Sequence, residues 1–192
     1  AVQQKVRDVP IGVPKTLADY PRMHSWYKTD PAIQMAHAAF PWIAIWDDHD
    51  VENDYAGSHA PGRPPTAAFL RQRAAAYQAY WEHMPLRNAQ RPLGPDAILY
   101  RRLAFGDLID LIMLDERQYR SPLPCPPPPP ELDRSRLVSA SECTDVFDPE
   151  RTMLGLSQET WLARCLAEQA RGRWLLLGQQ LMFSPFERQL KS

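Results

Sequence analysis

The chain has 192 residues, 22 basic against 23 acidic side chains, a formal net charge of −1 and a pI near 6.6. That length is one domain or a piece of one, and the charge balance leaves no large basic field, which excludes binding driven by phosphate-backbone neutralisation and with it a nucleic-acid-binding module. An apolar content of 44% is enough for a core, no apolar run is long enough to span a bilayer, and Ala1 to Arg7 lack the zones of a signal peptide.

Proline is the anomaly, with 20 residues against 8 glycines, and it punctuates the chain unevenly. Asp30 before Pro31 reads as an N-cap with proline at the first helical position, and Pro41 closes the helix that follows after Phe40. Trp42 to Trp46 is an apolar run without a polar break, which predicts a strand covered on both faces. Pro64-Pro65-Thr66 opens a longer helix whose apolar face is read as Leu70, Ala74, Tyr77, Trp81 and Met84, stopped by Pro85. Between Ile98 and Asp115 two apolar stretches flank Gly106-Asp107 and predict a hairpin, with Leu108 to Leu114 as its second strand. The stretch from Ser121 to Met153 has no periodicity and reads as an irregular proline-rich loop, polyproline-like at Pro126 to Pro130. Ser157 is the expected cap of a last helix with Glu159 in its first turn and Gly172 beyond its end, and Trp174 to Leu177 is a further short buried strand. There is no internal repeat. Alternating strands and helices predict an α/β fold with a mixed sheet.

Chemistry concentrates just past the first strand, in Trp46-Asp47-Asp48-His49-Asp50-Val51-Glu52-Asn53-Asp54-Tyr55. Asp47, Asp48, Asp50, Glu52, Asn53 and Asp54 carry oxygens suited to a hard cation, and His49 sits among them. The carboxyl ends of strands are where open α/β sheets bind ligands, and like charges packed this closely repel unless a cation, a helix N-terminus or solvent absorbs them. A solvated acidic loop is the bland alternative. An EF-hand is excluded because the glycine it requires at the sixth position is missing. His49-Asp50 also matches the metal-binding pair of HD-type phosphohydrolases, but the strand before it argues for another fold. A non-catalytic cation-binding piece is the remaining reading.

The stretch from Trp46 to Gly57 resembles the WDDHE-type signature of the PhoD-like alkaline phosphatases and phosphodiesterases, a branch of the calcineurin-like metallophosphatases. The resemblance continues through Arg73 to Pro85, Leu114 to Arg120, Arg151 to Gly155 and Trp174 to Phe183. It implies a phosphomono- or phosphodiesterase acting on small phosphate esters, with a four-layer αββα fold and an iron and calcium site, in a family that is typically exported and so secreted or periplasmic. Carried over, Asp48 is a metal ligand and Asp47 a second one, Asn53 an oxygen ligand or positioning residue, and His49 the histidine that serves the leaving group. Arg117, just past a strand, suits bidentate contact with phosphate oxygens, its alternative being a surface salt bridge with Asp115 or Glu116. Arg120 is the weaker candidate for that work. His24, His37, His59 and His83 read as structural or solvated.

Two blocks of the family pattern, Gly-Asp-x-x-Tyr before this stretch and Gly-Asp-x-His after it, do not occur. Residues 1–192 are therefore expected to be the central part of one catalytic domain, inactive alone, with 121–153 as a loop within it. Glu116 stands where the family more often has a small hydroxyl residue and is expected to compete for Arg117. Cys165 reads as a small buried hydrophobe. Cys125 and Cys143 bracket the proline-rich loop. A disulfide between them suits an exported protein and would contribute about 3 kcal/mol in the loop-entropy model, and two free thiols are the alternative.

Overall fold

The computed structural model describes residues 12–126, 139, 141–168 and 172–183. The first helix, α1 (Asp19–Tyr27), falls where the sequence suggested only proline punctuation. Asp19 starts it, its carboxylate accepting bonds from the amides of Lys15 and Thr16 and from the Thr16 hydroxyl at 2.8–3.1 Å. Pro21 is harmless there, because amides in the first helical turn need no intrahelical acceptor. α2 (Pro31–Ala39) follows as read, with Asp30 capping the amides of Ala32 and Ile33.

Trp42 to Trp46 is extended but joins no sheet among the described residues, against the expectation of a strand. Side chains, not a neighbouring strand, serve two of its carbonyls: Arg101 Nη2 donates to Ala44 O at 2.8 Å and Gln180 Nε2 to Trp46 O at 2.9 Å. Only Trp46 in this run is fully buried, whereas Trp42 and Ile43 are exposed.

Helix α3 (Ala67–His83) begins at Thr66, whose hydroxyl accepts from Phe69 N at 3.0 Å. Its buried face is Phe69, Gln72, Arg73, Ala76, Tyr77, Ala79 and Tyr80, and of the predicted stripe only Tyr77 is on it. The polar Gln72 and Arg73 are buried for the bonds they make, so hydrophobicity alone placed the face wrongly. Tyr77 stacks on Trp46 at 3.8 Å between ring centroids, and Tyr20, Val51, Tyr55 and Leu99 complete this core.

The hairpin forms as expected. β1 (Arg101–Phe105) pairs antiparallel with β2 (Ile109–Met113), and Gly106 takes the positive φ of the turn. β3 (Trp174–Gly178) runs parallel to β2, so the sheet is mixed, in the order β1-β2-β3. Helix α4 (Gly155–Ala167) lies between β2 and β3 in the chain and packs Trp161, Leu162 and Cys165 against Ile112 and Leu114. It starts before Ser157, since Thr152 Oγ1 caps the amides of Leu154 and Gly155 at 3.1 and 2.9 Å. Gly172 does not close the helix, which ends at Ala167. It lets the chain press on β2, where an added Cβ would stand 2.8 Å from the Ile109 carbonyl carbon. β3 is a strand but not a buried one, with Trp174 and Leu175 to Leu177 all exposed.

From Ser121 to Met153 the described residues are irregular apart from a 3-10 turn, Thr144–Phe147, and Cys125 and Cys143 are joined by a disulfide. Pro127 to Pro130, and with them most of the polyproline reading, lie outside the described residues.

His24 is buried between α1 and α3, stacked on His83 at 5.3 Å and edge-on to Tyr80, and its Nε2 has no hydrogen-bond partner among the described residues. Burial, with His83 and Lys28 adding to it, pushes its pKa down to about 4. The unfolded chain protonates this ring at an ordinary value near 6.5, so its stabilising contribution is whole above about pH 6.5 and drains as the pH falls toward 4, a loss of about 2–3 kcal/mol. His24→Phe should flatten that part of the pH–stability curve. Urea melts of both proteins across this range read the difference, and identical slopes would refute it.

Candidate functional site

β2 and β3 run parallel, so their carboxyl ends lie at one rim of the sheet, where Leu114 N still donates to Gly178 O at 2.9 Å. Beyond that bond the segments 115–118 and 179–181 leave the sheet, and the extended chain ending at Trp46 arrives beside them. Asp115 ties all this together. Its fully buried carboxylate accepts from Trp46 Nε1 at 3.0 Å, from the amides of Arg117 and Gln118 at 3.0 and 2.9 Å, and from Gln118 Nε2 at 3.3 Å. Gln158 of α4 holds the same residue by its backbone, accepting from Asp115 N at 2.8 Å and donating to Asp115 O at 2.7 Å. Burial raises the Asp115 carboxyl above its usual range, and the amide donors pull it back.

Past Trp46 the acidic stretch winds into a 3-10 turn, Asp48–Asp50, and not a solvated loop. Asp47 N donates to Asp50 Oδ2 at 2.8 Å, Asp48 O accepts the amides of Val51 and Glu52, and Asp48 Oδ2 accepts Asp54 N at 2.8 Å. That last bond needs Asp54 at φ +54°, a left-handed position that aspartate tolerates better than most residues. Tyr20 Oη donates to Val51 O at 2.7 Å and Gln72 Nε2 to Glu52 Oε2 at 3.0 Å, which accounts for Glu52 as a support. Burial raises Asp50 to about 6.

The structure brings five predicted residues into one place. Asp47 stands half-exposed at the rim, Asp48 is buried behind it, and Arg117 spans both, with Nε 2.6 Å from Asp47 Oδ1 and Nη2 3.5 Å from Asp48 Oδ1. This is neither of the surface pairs weighed for Arg117. Glu116 does not compete for it, because its Oε2 accepts the amides of Gln180 and Leu181 at 3.1 and 2.9 Å. His49 is the exposed member, its Nε2 2.8 Å from Asn53 Oδ1, and Asn53 Nδ2 donates to Asp54 Oδ2 at 3.1 Å. Cys125 and Cys143 take no part in this cluster. The HD-type alternative is not met, since His49-Asp50 lies on a 3-10 turn in a chain with a sheet.

Sequence reasoning missed Asp115, Gln158 and Arg73. Arg73 is buried in α3, and its Nη1 and Nη2 donate to Gly57 O at 2.5 Å and Asp96 Oδ1 at 2.9 Å. Asp115 ends the apolar run Leu111 to Leu114, a signal that could have found it, whereas Arg73 follows Arg71 and Gln72, and Gln158 stands between Ser157 and Glu159, so neither offers one. As a cation centre the described residues do not suffice: no three His, Cys, Asp or Glu side chains among them gather to hold one, and Arg117 covers the carboxylate edges that a cation would use.

Residues 2–192 match the family model described as PhoD-like phosphatase. Alkaline phosphatase D of Bacillus subtilis (strain 168) is 43% identical over 170 residues, which is 88% of this chain and 27% of that protein. A solved structure described as the structure of PhoD superposes with a TM-score of 0.75 at 41% identity, covering 89% of this chain and 31% of that one. The chain thus spans under a third of the length of these relatives. Among the described residues no helix is long and apolar enough to cross a membrane.

Proposed function

Since the chain belongs to the PhoD-like phosphatase family, we propose that it carries part of the site of an enzyme that hydrolyses small phosphate mono- or diesters. The ion pair between Arg117 and Asp47 carries this reading, because it joins the acidic turn to the end of β2 and aligns a histidine, two carboxylates and a guanidinium on one rim. In the reaction water adds to phosphorus, the P–O bond to the organic group breaks, and the departing oxygen takes a proton from His49. Asn53 holds Nε2–H of that ring, leaving Nδ1 as the nitrogen that exchanges a proton with substrate. Arg117 keeps Asp47 and Asp48 in place and offers its remaining N–H edge to a phosphoryl oxygen.

Iron and calcium belong to this reading as ions that Asp47, Asp48 and Asn53 would hold only with Arg117 moved off the two carboxylates and with further ligands from elsewhere in the full-length protein. So do the four-layer αββα domain, an exported location and inactivity of the 192-residue piece alone. The test uses the full-length protein with an aryl phosphate and a bis-aryl phosphate. Asp48→Asn should lower turnover of the preferred ester by about a hundredfold or more, and unchanged turnover would sink the assignment.

A further inference from the structure

The two segments that meet at the rim run on together past it. Gly57 N donates to Arg117 O at 2.9 Å, and the place of a Gly57 Cβ is 3.2 Å from Arg120 O, so the tail of the acidic stretch lies against the chain that leaves β2. A few residues further on they part around a cavity of about 310 Å³, lined on one side from the stretch Asp54 to Pro64 and on the other by Pro122, Leu123 and Pro126. That volume is at the lower end of small-ligand sites. Gly62, Pro122 and Pro126 are exposed, so water reaches it.

Both walls are fixed by bonds of their own. On the first, Ala56 and His59 exchange backbone bonds at 3.0 and 2.9 Å and Arg63 N donates to Ala60 O at 3.0 Å, with Gly57 and Gly62 at positive φ. On the second, Ser121 N donates to Thr152 O at 2.8 Å, Arg151 donates to the Pro122 carbonyl, and Cys125 is bridged to Cys143. The lining decides what can fill the space between. Ala56, Ala60, Pro61, Pro64, Pro122 and Leu123 present carbon, and the polar members are Asp54, His59 and Arg63. Asp54 Oδ2 accepts from Asn53 Nδ2 at 3.1 Å, and His59 Nδ1 lies 3.3 Å from Ser58 Oγ, so both bond within their own wall. A charged group would be desolvated against proline and alanine, whereas an apolar one gains by burial.

The cavity also has a fixed relation to the rim. His49 Nε2 is 2.8 Å from Asn53 Oδ1, and Asn53 in turn bonds Asp54, so two hydrogen bonds lead from the imidazole to the lining. We infer that this cavity receives the organic group of the phosphate ester, and that it takes an uncharged apolar group of aryl size. The occupant rests on the phosphate-ester reading, whereas the cavity and its apolar preference rest on the walls.

Steady-state kinetics of the full-length protein with 2-naphthyl phosphate tests it. Leu123→Asp, at a half-buried position, should raise KM about tenfold or more, with kcat and the inhibition constant of inorganic phosphate unchanged. Leu123→Met should stay near wild type, and Leu156→Asp, exposed on α4, should change nothing. Thermal melts accompany each variant, since a purely structural role moves the melting temperature and leaves KM alone. A KM that does not move, or a phosphate inhibition constant that weakens in step with it, overturns the site. Binding of 2-naphthol, followed by its own fluorescence, reads the cavity without turnover. Naphthol bound by wild type and lost in Leu123→Asp, with no ester hydrolysed, would count against the hydrolase alone. Hydrolysis with naphthol affinity indifferent to Leu123 would count against the cavity alone, and absence of both defeats both.

Discussion

His49→Ala in the full-length protein should lower the rate of ester hydrolysis by about 10²- to 10⁴-fold while leaving the fold intact. The magnitude is that of a lost general acid. The intact fold follows from position: the imidazole is 78% exposed, and among the described residues its polar contacts are the Asn53 amide and, at 3.9 Å, Asp48. Nothing buried is orphaned when it goes. Asn53→Ala should cost about tenfold to a hundredfold, because the ring keeps its chemistry but loses the bond that fixes its orientation. The two variants therefore separate proton donation from positioning. Aryl esters with good leaving groups need less help from an acid, so the His49→Ala defect should shrink as the leaving group improves, and the Asn53→Ala defect should shrink with it. Steady-state kinetics over a series of substituted aryl phosphates checks both, and a defect that ignores the leaving group would show that His49 does other work.

Asp115→Ala should destabilise the chain by about 4 kcal/mol, a size reserved for buried polar hubs. The substitution leaves Trp46 Nε1, the amides of Arg117 and Gln118, and Gln118 Nε2 in a space closed to water. Asp115→Asn keeps one acceptor and turns the other into a donor, so about half that cost is expected. Burial already raises the Asp115 carboxyl above its usual range, which lessens what is lost with the negative charge. Urea unfolding reads both variants. A loss below about 1 kcal/mol for alanine would mean that the rim is held by the strands themselves, with Asp115 a bystander.

Much of the rim was legible because its chemistry is written in adjacent residues. Asp47, Asp48, His49 and Asn53 lie within one turn, and a run of carboxylates after apolar residues announces itself. Arg117 could be read as the first cation past a strand end. Its partner could not, since choosing Asp47 over Asp115 or Glu116 depends on where the chain returns. The same limit explains Trp42 to Trp46, where composition specified an extended apolar run but not the Arg101 and Gln180 side chains that take the bonds of a ladder. On α3 the periodicity was real and the face was wrong, since Gln72 and Arg73 are buried by long-range hydrogen bonds that hydropathy counts against them. β3 was legible as a strand from its leucines, but its exposure was not, because burial is a property of what surrounds a strand.

The bonds that make the rim also set the order in which it can appear. Trp46 reaches Asp115 across 69 residues, Asp47 reaches Arg117 across 70, and Trp46 reaches Gln180 across 134. Each closes a long loop, an entropic cost met before the bond repays it, whereas α1 to α4 and the β1–β2 hairpin need only local contacts. The expected order therefore puts the longer helices α3 and α4 and the hairpin first, with the acidic turn meeting its arginine late. On a ribosome, His49 emerges long before Gln180 is made, so the acidic turn must wait, uncommitted, for most of the chain to be synthesised before the rim can close around it.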